Sequence, residues 1–476
     1  MHRARSESPL PPCLPLVFAA ALCAHGGMAN AESTSWTKAA PNSQVTPADA
    51  NAPAIEDRVY ALPELLTIAL DISPKTREVE QEALQANLAI QLAKSQYSPQ
   101  LNVKALGGIQ RTPLAIPRNV STKGYFVSST QEVFPSLELK WLLFDFGRRK
   151  GQVEEAKRNA SAAQSGLLGA QEKLVFDVSE AYFEATSAQG QVRAAKKALE
   201  AAQLTEQAVA DQKQHGRATV VQLAEAQRQT AAMRLALTKS TGAADTAFAS
   251  LIATIGLPPE THFQVTPPAE TTATETLAPL RELIDEALQS RPDVLAATDK
   301  IAASDAKVDT ARAAYRPTIS LSAQVFQNIG RISSDGGPYS SIDRNGNALF
   351  VSFEWPLFDG GARATNVSLA LSQKTAAEDA LAETKNTASQ QVVQAYNNLK
   401  TSLDNRNQAL AYTHASELAY QAALDSYRRG LTNITDLTSN EAVLAQAEAG
   451  QEDADASVGI AHAALDLAIG RRPSSP

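Results

Sequence analysis

The sequence predicts a mainly α-helical chain that also carries membrane-type β-strands, built as a tandem duplication and completed only by self-association. Three observations lead there. The chain repeats itself at a nearly fixed offset, its apolar and alanine positions form heptad seams too long for any globular core, and each repeat holds a pair of alternating strands.

Composition narrows the function classes first. With 476 residues, 44% hydrophobic and 20% charged, the chain is neither collagen-like nor globally disordered. Its net charge of −8 opposes binding to a phosphate backbone, so no nucleic-acid partner is expected.

The N-terminus reads as an export signal over residues 1–31. Arg3 and Arg5 open it, an apolar run follows from Leu14 to Ala24, and Ala29-Asn30-Ala31 forms a small-x-small cleavage site. Cys13 and Cys23, the two cysteines of the chain, fall inside it, so the exported protein would have neither a disulfide nor a thiolate ligand. Leu22 adjoins Cys23 instead of preceding it by three, which argues against acylation. No later window approaches the roughly 18 apolar residues a spanning helix needs, so a membrane crossing must use strands.

The repeat sets the domain order. Leu65 to Pro74 aligns with Leu283 to Pro292 at an offset of 218, and Tyr97-Ser98-Pro99 with Tyr315-Arg316-Pro317 at the same offset. From Trp141 and Trp355 onward the offset becomes 214, holding for Ala181-Tyr182, Gly216 and Ile255-Gly256 against Ala395-Tyr396, Gly430 and Ile469-Gly470. The expected organisation is an extension over 32–61, a first repeat over 62–257, a linker over 258–279 rich in Pro, Ala and Thr, and a second repeat over 280–473.

Within each repeat the periodicity changes in the same sequence. Residues 62–97 and 280–315 read as helix. After Pro99 and Pro317 the period drops to two, as in Leu101, Val103, Ala105 and in Ile319, Leu321, Ala323, Val325. Loops are expected over 107–124 and 330–347, followed by second strands over 125–143 and 349–357. Phe144-Asp145-Phe146-Gly147 and Phe358-Asp359-Gly360-Gly361 then hand each strand to a helix, Asp capping it and Gly allowing the turn. The helix from about 148 to 214 carries small or apolar residues in alternating steps of three and four, from Val153 to Ala202, and would be about 100 Å long. Turns at Gly216 and Gly430 send each seam back. Trp141, Trp355, Phe126, Phe134, Phe144, Phe350, Phe353 and Phe358 are expected as interfacial or lipid-facing aromatics.

Four strands cannot close a membrane barrel, and an open edge in lipid leaves backbone groups unpaired at several kcal/mol each. Closure therefore needs further copies: two give the minimum of about eight strands, three give twelve and a wetter lumen.

This duplicated order of helix, YxP, strand pair, FDxG, long helices and Gly turn resembles the TolC-type outer-membrane efflux protein family, over about residues 62–473. The resemblance implies a homotrimer with a 12-stranded β-barrel, four strands per chain, continued by a long periplasmic α-helical barrel. It further implies an exit duct of a tripartite efflux or type I secretion system, set in the bacterial outer membrane and its lipid. The partners implied are a periplasmic adaptor (membrane fusion protein) and an inner-membrane pump of RND or ABC type.

By the same resemblance the tips Gly216-Arg217 and Gly430-Leu431 would dock the adaptor, and only the second keeps Leu after Gly. Asp436 matches a pore-facing acidic position; its companions are Ser439 and, in the first repeat, Gln222. Tyr427 matches a tyrosine that latches the closed pore, although the matching arginine position holds Thr432. A solvated Asp436 on an exposed helix is the plainer alternative. His215, His262, His414 and His462 lack metal-site spacing, and no phosphate loop or nucleophile elbow occurs, so neither metal, cofactor nor enzymatic activity is expected. The competing class is a periplasmic or surface coiled-coil scaffold without a pore, which would have no use for the alternating strands.

Overall fold

The computed structural model describes residues 57–117, 119, 122–266 and 277–471. The expected signal over 1–31 with both cysteines, most of the 32–61 extension and the middle of the 258–279 linker lie outside them.

Each repeat builds two short helices, two strands and two long helices, with matched lengths. In the first these are α1 (Leu62–Ile72), α2 (Pro74–Ser95), β2 (Gln100–Ala115), β3 (Tyr125–Phe144), α3 (Arg148–Gln214) and α4 (Val220–Ile255). In the second they are α5 (Leu280–Ser290), α6 (Pro292–Ala313), β5 (Thr318–Ser334), β6 (Ser340–Glu354), α7 (Ala362–Arg428) and α8 (Ile434–Ile469). The two-residue strands β1 (Val59–Tyr60) and β4 (Gln264–Val265) pair in parallel beside the first repeat.

The helix expected over 62–97 is broken at Ser73, and that over 280–315 at Arg291. Both residues precede a proline, whose ring excludes the helical region for its predecessor; Ser73 has ψ 120 and Arg291 ψ 129. Each proline then serves as the first residue of the next helix. At 67 residues α3 is about 100 Å long. It packs on α2 and α6 over one stretch and on α4 and α8 over another.

Two equivalent apolar clusters hold the middle of the molecule. Leu65, Ala69, Val178, Ala181, Leu251 and Ile255 form one; Leu283, Ala287, Val392, Ala395, Leu465 and Ile469 form its counterpart at the repeat offsets. Along α3 burial follows strict heptads through Val153, Ala160, Leu167, Leu174, Ala181 and Ala188. It then slips to Ala194, Ala198, Ala202, Thr205 and Val209, off the expected Val192, Ala195 and Leu199. A straight helix drifts against a seven-residue repeat, and the slip restores the seam. It begins where α3 meets α8 most closely: a Cβ on Gly190 would lie 1.9 Å from Glu452 Oε2, and one on Gly459 2.5 Å from the Phe183 ring.

The four long strands form one antiparallel sheet in the order β2-β3-β5-β6. They are longer than expected. Gly107, Gly108, Gly330 and Gly346 lie inside them, so the loops shrink to residues between Ala115 and Tyr125 and between Ser334 and Ser340. Two of these glycines, Gly330 and Gly346, mark close approach rather than a turn. Gly330 has no room for a Cβ against Gln131 O, and Gly346 lies under the Phe326 ring opposite it.

Up to Leu142 the register keeps odd residues on one face across all four strands, and a register shift between Leu142 and Phe144 then pairs Phe144 with Ile319 of that face. Near the helices that face is apolar: Leu101, Leu139, Ala323 and Leu349 make one row, Trp141, Leu321 and Val351 another. Farther out it turns polar at Arg111, Gln131, Arg331 and Asp343. The even face is largely polar, with Asn102, Glu138 and Gln324 in one row and a 2.6 Å Lys104–Glu138 ion pair. Phe126, Phe134 and Phe350 belong to this even face, opposite the one that carries Trp141 and Phe353, with which the sequence groups them as interfacial or lipid-facing aromatics. Phe134 stacks on Phe326 at 4.7 Å between ring centroids.

Candidate functional site at the strand-to-helix turns and the helical tips

Both strand-to-helix turns are clasps built around an aspartate. Gly147 (φ 109) and Gly361 (φ 92) occupy the N-cap positions in the left-handed region, where a side chain would be strained. Asp145 stands two residues earlier, its carboxylate accepting from Gly147 N at 3.3 Å and Arg149 N at 2.8 Å. Asp359 repeats this with Gly361 N and Arg363 N. The aspartates thus cap their helices from outside the N-cap residue itself, and Gly360 supplies a further positive φ of 66.

The arginines four residues on complete the clasps. Arg149 Nε donates to Asp145 at 2.9 Å, and its guanidinium also donates to the carbonyls of Gln96, Leu142 and Leu143. Arg363 donates to Asp359 at 2.7 Å and to the Pro356 carbonyl. Each guanidinium lies over the tyrosine of its YxP segment, Tyr97 or Tyr315, and each tryptophan indole donates to that tyrosine's carbonyl. Arg363 holds the Asp359 carboxyl below its usual range. The signal for these arginines was present: both stand at the 214 offset, four residues after an aspartate that needs a partner.

At the other end of the long helices the two turns have the same form. Gly216 (φ 71) follows α3 and Gly430 (φ 76) follows α7, and both are exposed together with Arg217 and Leu431, the latter 76% exposed. Thr219 caps α4 in a reciprocal box with Gln222: Gln222 N donates to Thr219 Oγ1, and Thr219 N donates to Gln222 Oε1 at 2.8 Å. Gln222 is therefore engaged by its own helix start. Asn433 caps α8 by accepting from Asp436 N at 2.9 Å, and the exposed Asp436 carboxylate accepts from the Thr432 hydroxyl. Ser439 is exposed one turn on.

The two tips are joined within the chain. Val209, Ala226, Ile434 and Leu437 form a buried cluster with Tyr427 and Tyr420 packed on it, and burial raises the Tyr427 hydroxyl pKa. Asp436, Ser439 and Tyr427 thus gather at the second tip, while Gln222 belongs to the first. Glu441, unnoticed in the sequence, is buried here; its signal is a carboxylate on the face of Ile434 and Leu437 at helical spacing. Among the described residues no group of His, Cys, Asp and Glu could hold a metal ion, and no helix is long and apolar enough to cross a membrane.

With this geometry in hand, a family model described as outer membrane efflux protein matches residues 65–257 and 283–471. Protein CyaE of Bordetella pertussis is 27% identical over 417 residues, 87% of this chain and 85% of that one. Outer membrane protein OprJ of Pseudomonas aeruginosa is 25% identical, covering 78% of this chain and 76% of its own. A solved structure of CusC superposes with a TM-score of 0.72 at 20% identity, over 86% of this chain and 92% of that one.

Proposed function

Because the chain belongs to the outer membrane efflux protein family, we propose that it is the exit duct of a tripartite efflux or type I secretion system. Three copies close a twelve-stranded β-barrel in the outer membrane and carry it into the periplasm as a helical cylinder. The observation that carries this reading is the sheet, which ends on two unpaired edges, β2 and β6. Lipid cannot satisfy those backbone groups, so β6 of one subunit pairs with β2 of the next until the ring is shut. The apolar band on the odd face then meets hydrocarbon and the polar even face lines the lumen. A pore-less scaffold would leave that band without a purpose.

The duct is passive and energised by its partners, a periplasmic adaptor and an inner-membrane pump of RND or ABC type. It performs no catalysis. Gly216, Arg217, Gly430 and Leu431 form the adaptor-docking tips. Asp436, repeated by threefold symmetry, places three carboxylates at the periplasmic constriction, with Ser439 beside it and Tyr427 bracing the closed tip. Gln222 adds no charge, so cations block this duct less than one ringed by two acidic sets.

Two measurements test the reading. The detergent-solubilised protein should have the mass of a trimer, and it should conduct ions in a planar bilayer. A monomer that passes no current would leave the coiled-coil scaffold standing in its place.

A further inference from the structure

Glu441 is 3% exposed, and neither carboxylate oxygen meets a protein hydrogen-bond partner. It lies on α8 one turn past Leu437, above the cluster that joins the two tips. The contact of Gly190 with Glu452, followed eleven residues along both helices, brings Glu441 level with Ala201 and Ala202 of α3. Thr230 donates to the Ala202 carbonyl from α4, so its neighbour Gln229 reaches the same height, with its own buried Nε2 also lacking a protein partner.

None of the titratable groups around Glu441 offsets its charge. On α7 the titratable neighbour is Tyr420, which feels Glu441 and, with opposite sign, Arg428. On α3 the buried positions at this height are Ala198, Ala202 and Thr205, while Lys197 and Glu200 are exposed. On α4 they are Ala226, Gln229 and Thr230; Glu225 is bound to the exposed Arg228. On α8 itself Asp436 is exposed and tied to Thr432, and Glu448 is half-buried two turns away.

We propose that Glu441 is a proton-operated catch between the two hairpins. Neutral, it lets the second tip seat against the first; ionised, it drives the tips apart toward water. Resting on the duct reading, this makes the periplasmic opening sensitive to pH. An ionised carboxylate without a partner in an apolar site costs several kcal/mol, whereas its acid form is tolerated. Desolvation accordingly pushes Glu441 up to about 7 from an ordinary 4.5.

The sign follows from linkage. With the tips together Glu441 holds its proton up to about pH 7; with the tips apart and the carboxyl hydrated it loses it near 4.5. The closed arrangement is therefore fully favoured below about pH 4.5, weakens as pH rises to about 7, and is level above that. Across the window the balance shifts toward opening by on the order of 100-fold per subunit.

The test is the open probability of the purified full chain in planar bilayers from pH 4.5 to 8, for wild type and Glu441→Gln. The variant reproduces the neutral carboxyl, so it should stay closed and lose the rise seen in wild type. A second readout needs no current. A cysteine replacing Ala226, in a chain whose described residues contain no other, should react with a thiol reagent faster as pH rises through the window, after correction for its thiolate fraction, and Glu441→Gln should abolish that gain. Matching pH profiles in wild type and Glu441→Gln, or a flat wild-type profile, would overturn the catch. Zero conductance at every pH together with the expected labelling profile would instead count against the duct.

Discussion

The two long helices α3 and α7 have equal length and matching ends, yet α3 buries twenty-two residues and α7 only six. Their clasps differ in the same direction: the Asp145–Arg149 side chains are 7% and 5% exposed, those of Asp359 and Arg363 28% and 12%. The blueprint is shared and the neighbours are not. Five helices flank α3 (α1, α2, α4, α6 and α8), whereas α7 packs on α5, α6 and α8. Where α3 carries Glu155, Lys157 and Lys196, the 214 offset gives α7 exposed leucines, Leu369, Leu371 and Leu410. Charge on the helix that is complete within the chain, and leucine on the one that is not, locates the side of the subunit that a further copy covers.

Giving α7 the surface of α3 should abolish assembly. Leu369→Glu with Leu371→Lys removes two leucines from the expected contact, each contributing about 1.5–3 kcal/mol when buried. Sizing with light scattering should find the trimer replaced by monomer, and a trimer of unchanged stability would contradict the assignment of α7 as the assembly edge. The corresponding Glu155→Ala and Lys157→Ala changes should leave assembly intact.

The clasps give the next largest contrast. Arg149→Ala strands a buried aspartate and three carbonyls, and chemical denaturation should register a loss of about 3–5 kcal/mol. Arg363→Ala should cost a fraction of that. Equal losses would show that assembly covers the second clasp as deeply as the fold covers the first.

Charge at the tips comes third. Asp436→Asn should abolish block by trivalent cations in single-channel recordings, and a persisting block would remove Asp436 from the pore. Gln222→Glu keeps the reciprocal cap with Thr219 while adding a carboxylate, so it should strengthen the block several-fold. The smallest effect concerns the caps alone: Thr219→Ala and Asn433→Ala should each cost about 1 kcal/mol, read from thermal unfolding.

Much of this was legible because repetition exposed it. Matching residues at 218 and 214 located every long element, and the span of α3 followed from its heptads. Features set by contact between distant segments were hidden. Gly330 and Gly346 read as loop because nothing local reveals that Gln131 and Phe326 need their space. The helix over 62–97 looked continuous because its apolar spacing continues through Ser73, although Pro74 forbids the geometry there. At the tips the resemblance drew attention to Asp436, whereas Glu441 is distinguished by what surrounds it, which four helices decide together.

The interruptions at Ser73 and Arg291 also determine how far a disturbance can travel. The two full-length helices run unbroken from clasp to tip, but their companions change identity midway, from α2 and α6 to α4 and α8. Torque entering from below is borne by two continuous rods whose escorts have already been replaced at the waist, where two apolar girdles grip them. Such a mast can flex at its foot while its collar in the membrane keeps station, so amide exchange in β2, β3, β5 and β6 should stay constant as the tips part.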